Sequence, residues 1–137
     1  MNQASILTFG CWLTAMVSTS GSLFFSEILQ YPPCSLCWYQ RIALFPLCAI
    51  FAVGLFRDGV VNFSMPLVIF GWMVSLYHNL LYYRIIEPSF TLCRDAVSCT
   101  SEQFNWFGIT IPILSFLAFS LIFSGLLIIS RIQNEKN

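Results

Sequence analysis

Charged positions along the chain are few, and the gaps between them predict its elements. Residues 1–26, 59–83 and 103–130 contain no Asp, Glu, Lys or Arg. Each gap is long enough to cross a hydrocarbon layer of about 30 Å at about 1.5 Å per helical residue. The apolar runs are continuous rather than alternating, which predicts helices and argues against a barrel of tilted strands. The first helix is expected over about 6–25. No Lys or Arg precedes it, and it exceeds the roughly 7–15 apolar residues of a secretory leader, so it reads as a retained span. The second run is short, with only 15 uncharged residues over 42–56. Extending it to about 38–56 places Arg41 in its first turns, where a cation either snorkels to the headgroups or marks function. The third and fourth spans are expected over about 63–83 and 107–129.

The predicted fold is an all-α membrane protein, an antiparallel four-transmembrane-helix bundle forming a single integral membrane domain over 1–137. Two cysteine-bearing loops, about 26–37 and 84–106, share one face. Pro46, Pro66 and Pro112 fall within or near the ends of helices, where packed neighbours can accommodate freed carbonyls. Gly10, Ala15, Ser18 and Ser22 offer small surfaces for close packing on the first helix.

Composition sharpens this picture. Hydrophobic residues make up 58% of the chain and charged residues 9%, against about 25% charged in soluble domains. An ordinary soluble protein is excluded, and so is a disordered chain. A formal net charge of zero leaves no basic face for nucleic acid. Four crossings put both termini on one side, with three Lys and Arg residues on each side of the membrane. Side-chain charge therefore gives no orientation. The N-terminal amine tips the balance toward cytoplasmic termini.

Six cysteines carry the chemistry. Cys11 and Cys48 lie within spans and read as small apolar packing residues. Cys34, Cys37, Cys93 and Cys99 lie in the two loops of one face. Cys34-Ser35-Leu36-Cys37 is a C-x-x-C at the head of the second helix, where unpaired N–H groups and the helix dipole favour a thiolate. Pro32 and Pro33 hold the approach extended. Zinc sites use the same spacing, and two structural disulfides would also account for four cysteines. Redox exchange gives both pairs a purpose: Cys93 and Cys99 form a second closable pair, Arg94 favours a thiolate at Cys93, and electrons can pass between pairs by thiol–disulfide exchange.

Those electrons need an exit. His78 is the single histidine, so no bis-histidine haem is available, and its plain reading is a polar residue hydrogen-bonded between helices. No G-x-G-x-x-G is present for a nucleotide. A membrane quinone needs an apolar slot at the helix ends, a thiolate donor and a group that stabilises charge on a ring oxygen. Cys37 and Arg41 are four apart and share a helical face. Trp38, Tyr39, the Tyr77-His78-Asn79 run and Tyr82-Tyr83 fall near the same depth. They are expected either to line the slot or to serve as interfacial anchors.

Three stretches carry a family resemblance: G-S-L-F-F-S-E-I-L at 21–29, P-C-S-L-C-W-Y-Q-R at 33–41 and F-N-W-F-G-I-T-I-P at 104–112. They resemble the DsbB/BdbC family of bacterial disulfide-bond-forming quinone reductases, most of all its short BdbC-type members, over nearly the whole chain. The resemblance implies a protein-dithiol:quinone oxidoreductase of the bacterial cell membrane, with its cysteine loops outside the cytoplasm. Cys34 and Cys37 are then the quinone-proximal pair, Cys37 the thiolate that contacts menaquinone or ubiquinone, and Arg41 its neighbour; Trp38 and His78 complete the expected cofactor contacts. Cys93 and Cys99 become the partner-facing pair, with Cys93 forming the mixed disulfide with a DsbA/BdbD-like thioredoxin-fold thiol oxidase. The chain departs from longer members in the close spacing of the second pair and in Gln40, where an acidic residue can occur. A vitamin K epoxide reductase-like enzyme, a thiol-based metal-binding membrane protein and a structural subunit are the competing classes.

Overall fold

Four helices account for most of the computed structural model, which describes residues 2–57, 59–85 and 110–135. They are α1 (Gln3–Leu23), α2 (Ser35–Gly54), α3 (Val60–Tyr82) and α4 (Ile111–Asn134). Each is long and apolar enough to cross a membrane, so the chain is a four-helix membrane bundle. The second cysteine pair, Cys93 and Cys99, lies outside the described residues.

The helix ends are set by backbone geometry rather than by where the apolar runs begin. α1 continues into one π-helical turn over Phe24–Ile28, with the Leu29 N–H bonded to the Phe24 carbonyl at 3.2 Å. Such widened turns recur at functional sites. Gln30 then takes a left-handed conformation at φ 56°, and the chain runs through Tyr31-Pro32-Pro33 to Cys34, the extended N-cap of α2. Gly59, at φ 94°, makes the turn into α3, a conformation that glycine adopts without a Cβ penalty. Both α2 and α3 thus start before the expected 38 and 63. α4 starts later than the expected 107, because Thr110 is extended and Pro112 occupies the first turn, where a missing N–H costs nothing.

Pairings across the seams define the topology. Arg41 meets Ser22 and Cys48 meets Thr19 between α2 and α1. Asn79 meets Pro112 and Trp72 meets Ser120 between α3 and α4. Residue numbers rise on one helix as they fall on its neighbour, so these pairs are antiparallel. Each helix packs on two others, in the ring α1–α2–α3–α4.

Ala15, Ala43, Leu47, Phe51, Val68, Ile122 and Leu126 fill the axis. Val17, Phe63, Met73 and Leu121 are exposed on the outside, giving helices that are apolar on all faces, as lipid-facing ones are. Two seams close on glycine: a Cβ at Gly71 would run into the Phe119 ring, and one at Gly125 would stand 2.6 Å from the Cys11 sulfur. Buried hydroxyls bond back along their own helices, Thr8 to the Ala4 carbonyl and Ser75 to that of Trp72, which satisfies them without a polar neighbour.

Candidate functional site: a cysteine pair between a histidine and an apolar cavity

The C-x-x-C occupies the N-cap and first turn of α2. Cys34 and Cys37 therefore sit three apart on one face, with their sulfurs 3.2 Å from each other. Both are thiols. A disulfide bond of about 2.05 Å would require the sulfurs to close by little more than 1 Å. Cys34 is buried in a small apolar cluster with Leu36 and Leu81, flanked by Val74 and Tyr77 of α3.

His78 of α3 reaches this cluster and is 2% exposed. Its Nε2 lies 3.9 Å from the Cys34 sulfur, and its Nδ1 lies 3.4 Å from the Gln40 amide nitrogen. The imidazole is therefore held between α2 and α3, consistent with the plain reading of a hydrogen-bonded interhelical residue. The hydrogen bond shared with Cys37, helped by the contact with His78, outweighs burial and pulls the Cys34 thiol well below the usual thiol range. The pair can thus hold one negative charge shared between two sulfurs. The ligand atoms of Cys34, Cys37 and His78 all lie within 4.8 Å of one another.

Arg41 lies one turn below Cys37 and is 7% exposed. Its Nε donates to the Ser22 hydroxyl at 2.8 Å, and a terminal nitrogen donates to the Ser22 carbonyl at 2.7 Å. The guanidinium also covers the Trp38 ring, 5.5 Å from its centroid. A buried cation normally carries a large desolvation cost; here α1 meets it with two charge-assisted bonds, aided by an aromatic face.

Beside Cys37 and Arg41 is a cavity of about 310 Å³. Three helices each supply one stripe to it: Cys37, Gln40, Arg41 and Leu44 from α2; Ser18, Gly21 and Ser22 from α1, with Phe25 of the π-helical turn that continues it; Ile111, Leu114, Ser115 and Ala118 from α4. Each stripe follows i, i+3, i+4, i+7, one helical face. Tyr31, Pro32 and Pro33 form part of the lining. Val17 and Leu114 line it and are also exposed, so it opens on the outer surface between α1 and α4.

The structure separates the residues expected around this slot. Cys37 and Arg41 line the cavity, whereas Trp38 and His78 do not. Trp38 is half exposed on the outer face, and His78 stands on the opposite side of the cysteine pair. The expected aromatic lining from Tyr39, Tyr77, Asn79, Tyr82 and Tyr83 is absent as well; the walls come from α1 and α4 instead. Ser22 and Gln40, which hold Arg41 and His78, were not among the expected site residues. The signal for the missed wall lay in the small side chains Ser18, Gly21 and Ser22 on α1 and Ser115 and Ala118 on α4.

Comparisons with known proteins identify the family. The family described as disulfide bond formation protein DsbB matches residues 4–129. A probable disulfide formation protein C of Halalkalibacterium halodurans is 44% identical, covering 91% of this chain and 93% of that protein. Disulfide bond formation protein C of Bacillus subtilis is 35% identical across 100% of this chain and 99% of its own length. A probable disulfide formation protein of Coxiella burnetii is 38% identical over 91% of this chain and 87% of that relative. No solved structure matches. With a helical membrane bundle, a C-x-x-C at the head of α2 and relatives matched along almost their full lengths, the chain belongs to the DsbB family of disulfide-bond-forming membrane oxidoreductases.

Proposed function

We propose that this protein is a protein-dithiol:quinone oxidoreductase that reoxidises an extracytoplasmic thioredoxin-fold thiol oxidase, with its termini cytoplasmic and its cysteine loops outside. The observation that carries the reading is the largely apolar cavity lined by Cys37 and the buried Arg41. Its volume, about 310 Å³, falls in the range of roughly 300–1,000 Å³ typical of small-molecule sites. A thiol and a cation at one end suit a ring bearing carbonyl oxygens. The opening between α1 and α4 suits an apolar tail that remains in lipid. Menaquinone and ubiquinone both have this chemistry, and a bound quinone supplies an acceptor for two electrons and two protons.

The remaining steps belong to the chain. A partner dithiol attacks the Cys93–Cys99 disulfide, leaves oxidised, and transfers two electrons to that pair. Exchange with Cys34–Cys37 restores the outer disulfide and reduces the inner pair. Cys34, packed against His78, shares one proton with Cys37 and keeps a thiolate available in the pair. Cys37 faces the cavity and is the sulfur through which electrons leave. Arg41, fixed by Ser22, presents positive charge to the cavity where a ring oxygen would sit, and the pair returns to a disulfide by giving up two electrons and the one proton it shares, the acceptor's second proton coming from solvent.

The test is turnover by anaerobic protein in detergent, supplied with quinone and a reduced thioredoxin-fold dithiol protein. Quinone absorbance and free thiols are followed together. One quinone consumed per two thiols lost, absent in Cys37→Ser while partner adducts still form at Cys93, is the expected result. Full turnover in Cys37→Ser would sink the relay.

A further inference from the structure

Cys34, Cys37 and His78 have a second chemical capacity beyond the exchange of electrons. We infer that, when reduced, they form a binding site for a thiophilic divalent cation of the zinc class, and that the disulfide abolishes this site. The three side chains come from two helices. α2 places two sulfurs one turn apart, and α3 brings an imidazole against them. The sulfurs are 3.2 Å apart, and Cys34 Sγ is 3.9 Å from His78 Nε2. A tetrahedral ion with bonds of about 2.3 Å to sulfur and about 2.0–2.1 Å to nitrogen sets sulfurs about 3.8 Å apart and sulfur about 3.6 Å from nitrogen. Shifts of about half an ångström in side-chain position satisfy these two spacings, and the third, between Cys37 Sγ and the imidazole, closes to about 3.6 Å from within 4.8 Å.

The surroundings suit a bound ion. Gln40 faces Nδ1 at 3.4 Å. With its amide turned so that the oxygen accepts from Nδ1–H, Nε2 is left free toward the sulfurs, the tautomer a metal-bound histidine needs. Two thiolates and a neutral imidazole balance a divalent charge, which is the condition for holding an ion among Leu36, Leu81 and Tyr77. Three protein ligands leave a fourth position for water, so the site is reversible rather than sealed in the manner of a structural zinc centre.

Binding involves no electron transfer. The ion and the thiol–thiolate pair give a dithiolate complex and release the shared proton. The same sulfur electron pairs cannot both bind the ion and form a disulfide, so the metal holds the pair reduced and stops turnover at the inner cysteines. The site itself does not depend on the quinone reading; only this inhibition does.

Cobalt is the probe. Full-length Cys93→Ser/Cys99→Ser protein in detergent, reduced and stripped with chelator, is titrated with Co²⁺ without quinone or partner. One cobalt per chain, with thiolate charge-transfer and tetrahedral d–d bands, displaced by Zn²⁺, is expected. Oxidising the inner pair abolishes the bands, and His78→Ala weakens binding about tenfold or more. X-ray absorption of the zinc-loaded protein without the His78 substitution should show two sulfurs and one imidazole nitrogen, so the assignment does not depend on the folding of His78→Ala. Absence of the bands, their survival after oxidation, or a zinc shell without imidazole overturns the site. Turnover of the protein with both cysteine pairs intact is measured separately in chelator. A failure there removes the quinone reading while leaving cobalt binding intact, and the converse holds.

Discussion

The first two turns of α2 face two different surroundings. Toward α3, Cys34 meets Leu36, Leu81, Val74 and Tyr77, with His78 closing the gap. Large side chains pack around the Cys34 sulfur there. Toward α1 and α4, Cys37, Arg41 and Leu44 face Ser18, Gly21, Ser22, Ser115 and Ala118 across an open cavity. Side-chain size accounts for the difference: small residues on two facing helices leave a void where their neighbours fill the space. One cysteine pair is thereby given a closed side, suited to holding a proton or a soft cation, and an open side, suited to a small apolar molecule.

The largest effect is expected at Arg41. Arg41→Met removes both bonds to Ser22 and the positive charge beside Cys37. Hydrogen bonds to charged groups contribute about 1.5–3 kcal/mol, so kcat/KM for quinone should fall by about 10- to 150-fold. Arg41→Lys retains the charge but cannot reproduce the two-point grip of a planar guanidinium, and should recover only part of the loss. Reduction of the inner pair by a partner dithiol, measured without quinone, should stay near the parent rate in both variants. Equal losses in both half-reactions would erase the distinction between the two sides.

Gly71 tests whether the closed seam supports the open wall. Its α carbon faces the Phe119 ring, and Phe119 lines the cavity from the other side. Gly71→Ala overpacks this seam, for which about 1–3 kcal/mol of destabilisation is expected, read as a lower thermal midpoint in detergent. Phe119→Leu in the same chain should restore part of the midpoint. Gly21 gives the complementary test, because a Cβ there meets nothing within 4 Å. Gly21→Leu should raise the quinone KM about tenfold, equivalent to about 1.4 kcal/mol, with little change in melting. A fall in midpoint matching that of Gly71→Ala would mean that the α1 face is packed rather than open.

Much of this arrangement was legible in the sequence. Gaps in charge located four spans, and the C-x-x-C with Arg41 one turn on placed the inner pair and its cation. Rotation of α2 was harder to read. Cys37, Gln40, Arg41 and Leu44 share a face by helical spacing, so Trp38 and Tyr39 had to point elsewhere, yet their aromatic character suggested a ring-binding role. Hydropathy cannot distinguish a small residue that permits close packing from one that leaves a void. Ser18 and Ser22 read as packing surfaces for that reason and turned out to line the cavity. Helix starts were misplaced because Cys34, Gly59 and Pro112 set them through backbone geometry, which apolarity does not encode.

The finest test of the open side is Ser22. Its hydroxyl accepts from Arg41 Nε, while its backbone carbonyl accepts from the terminal nitrogen independently of the side chain. Ser22→Ala therefore removes one of two bonds and keeps the charge in place. A single hydrogen bond to a charged group is worth about 1.5–3 kcal/mol when its partner is stranded, but a retained second bond and room for water in the cavity reduce that cost. A three- to ten-fold rise in quinone KM, about 0.6–1.4 kcal/mol, is expected with kcat nearly unchanged. Ser22→Thr, which keeps the acceptor, should restore the parent KM. If Ser22→Ala lowered kcat as strongly as Arg41→Met, the hydroxyl rather than the carbonyl would be the element that fixes the guanidinium, and α1 would direct the chemistry as well as line the cavity.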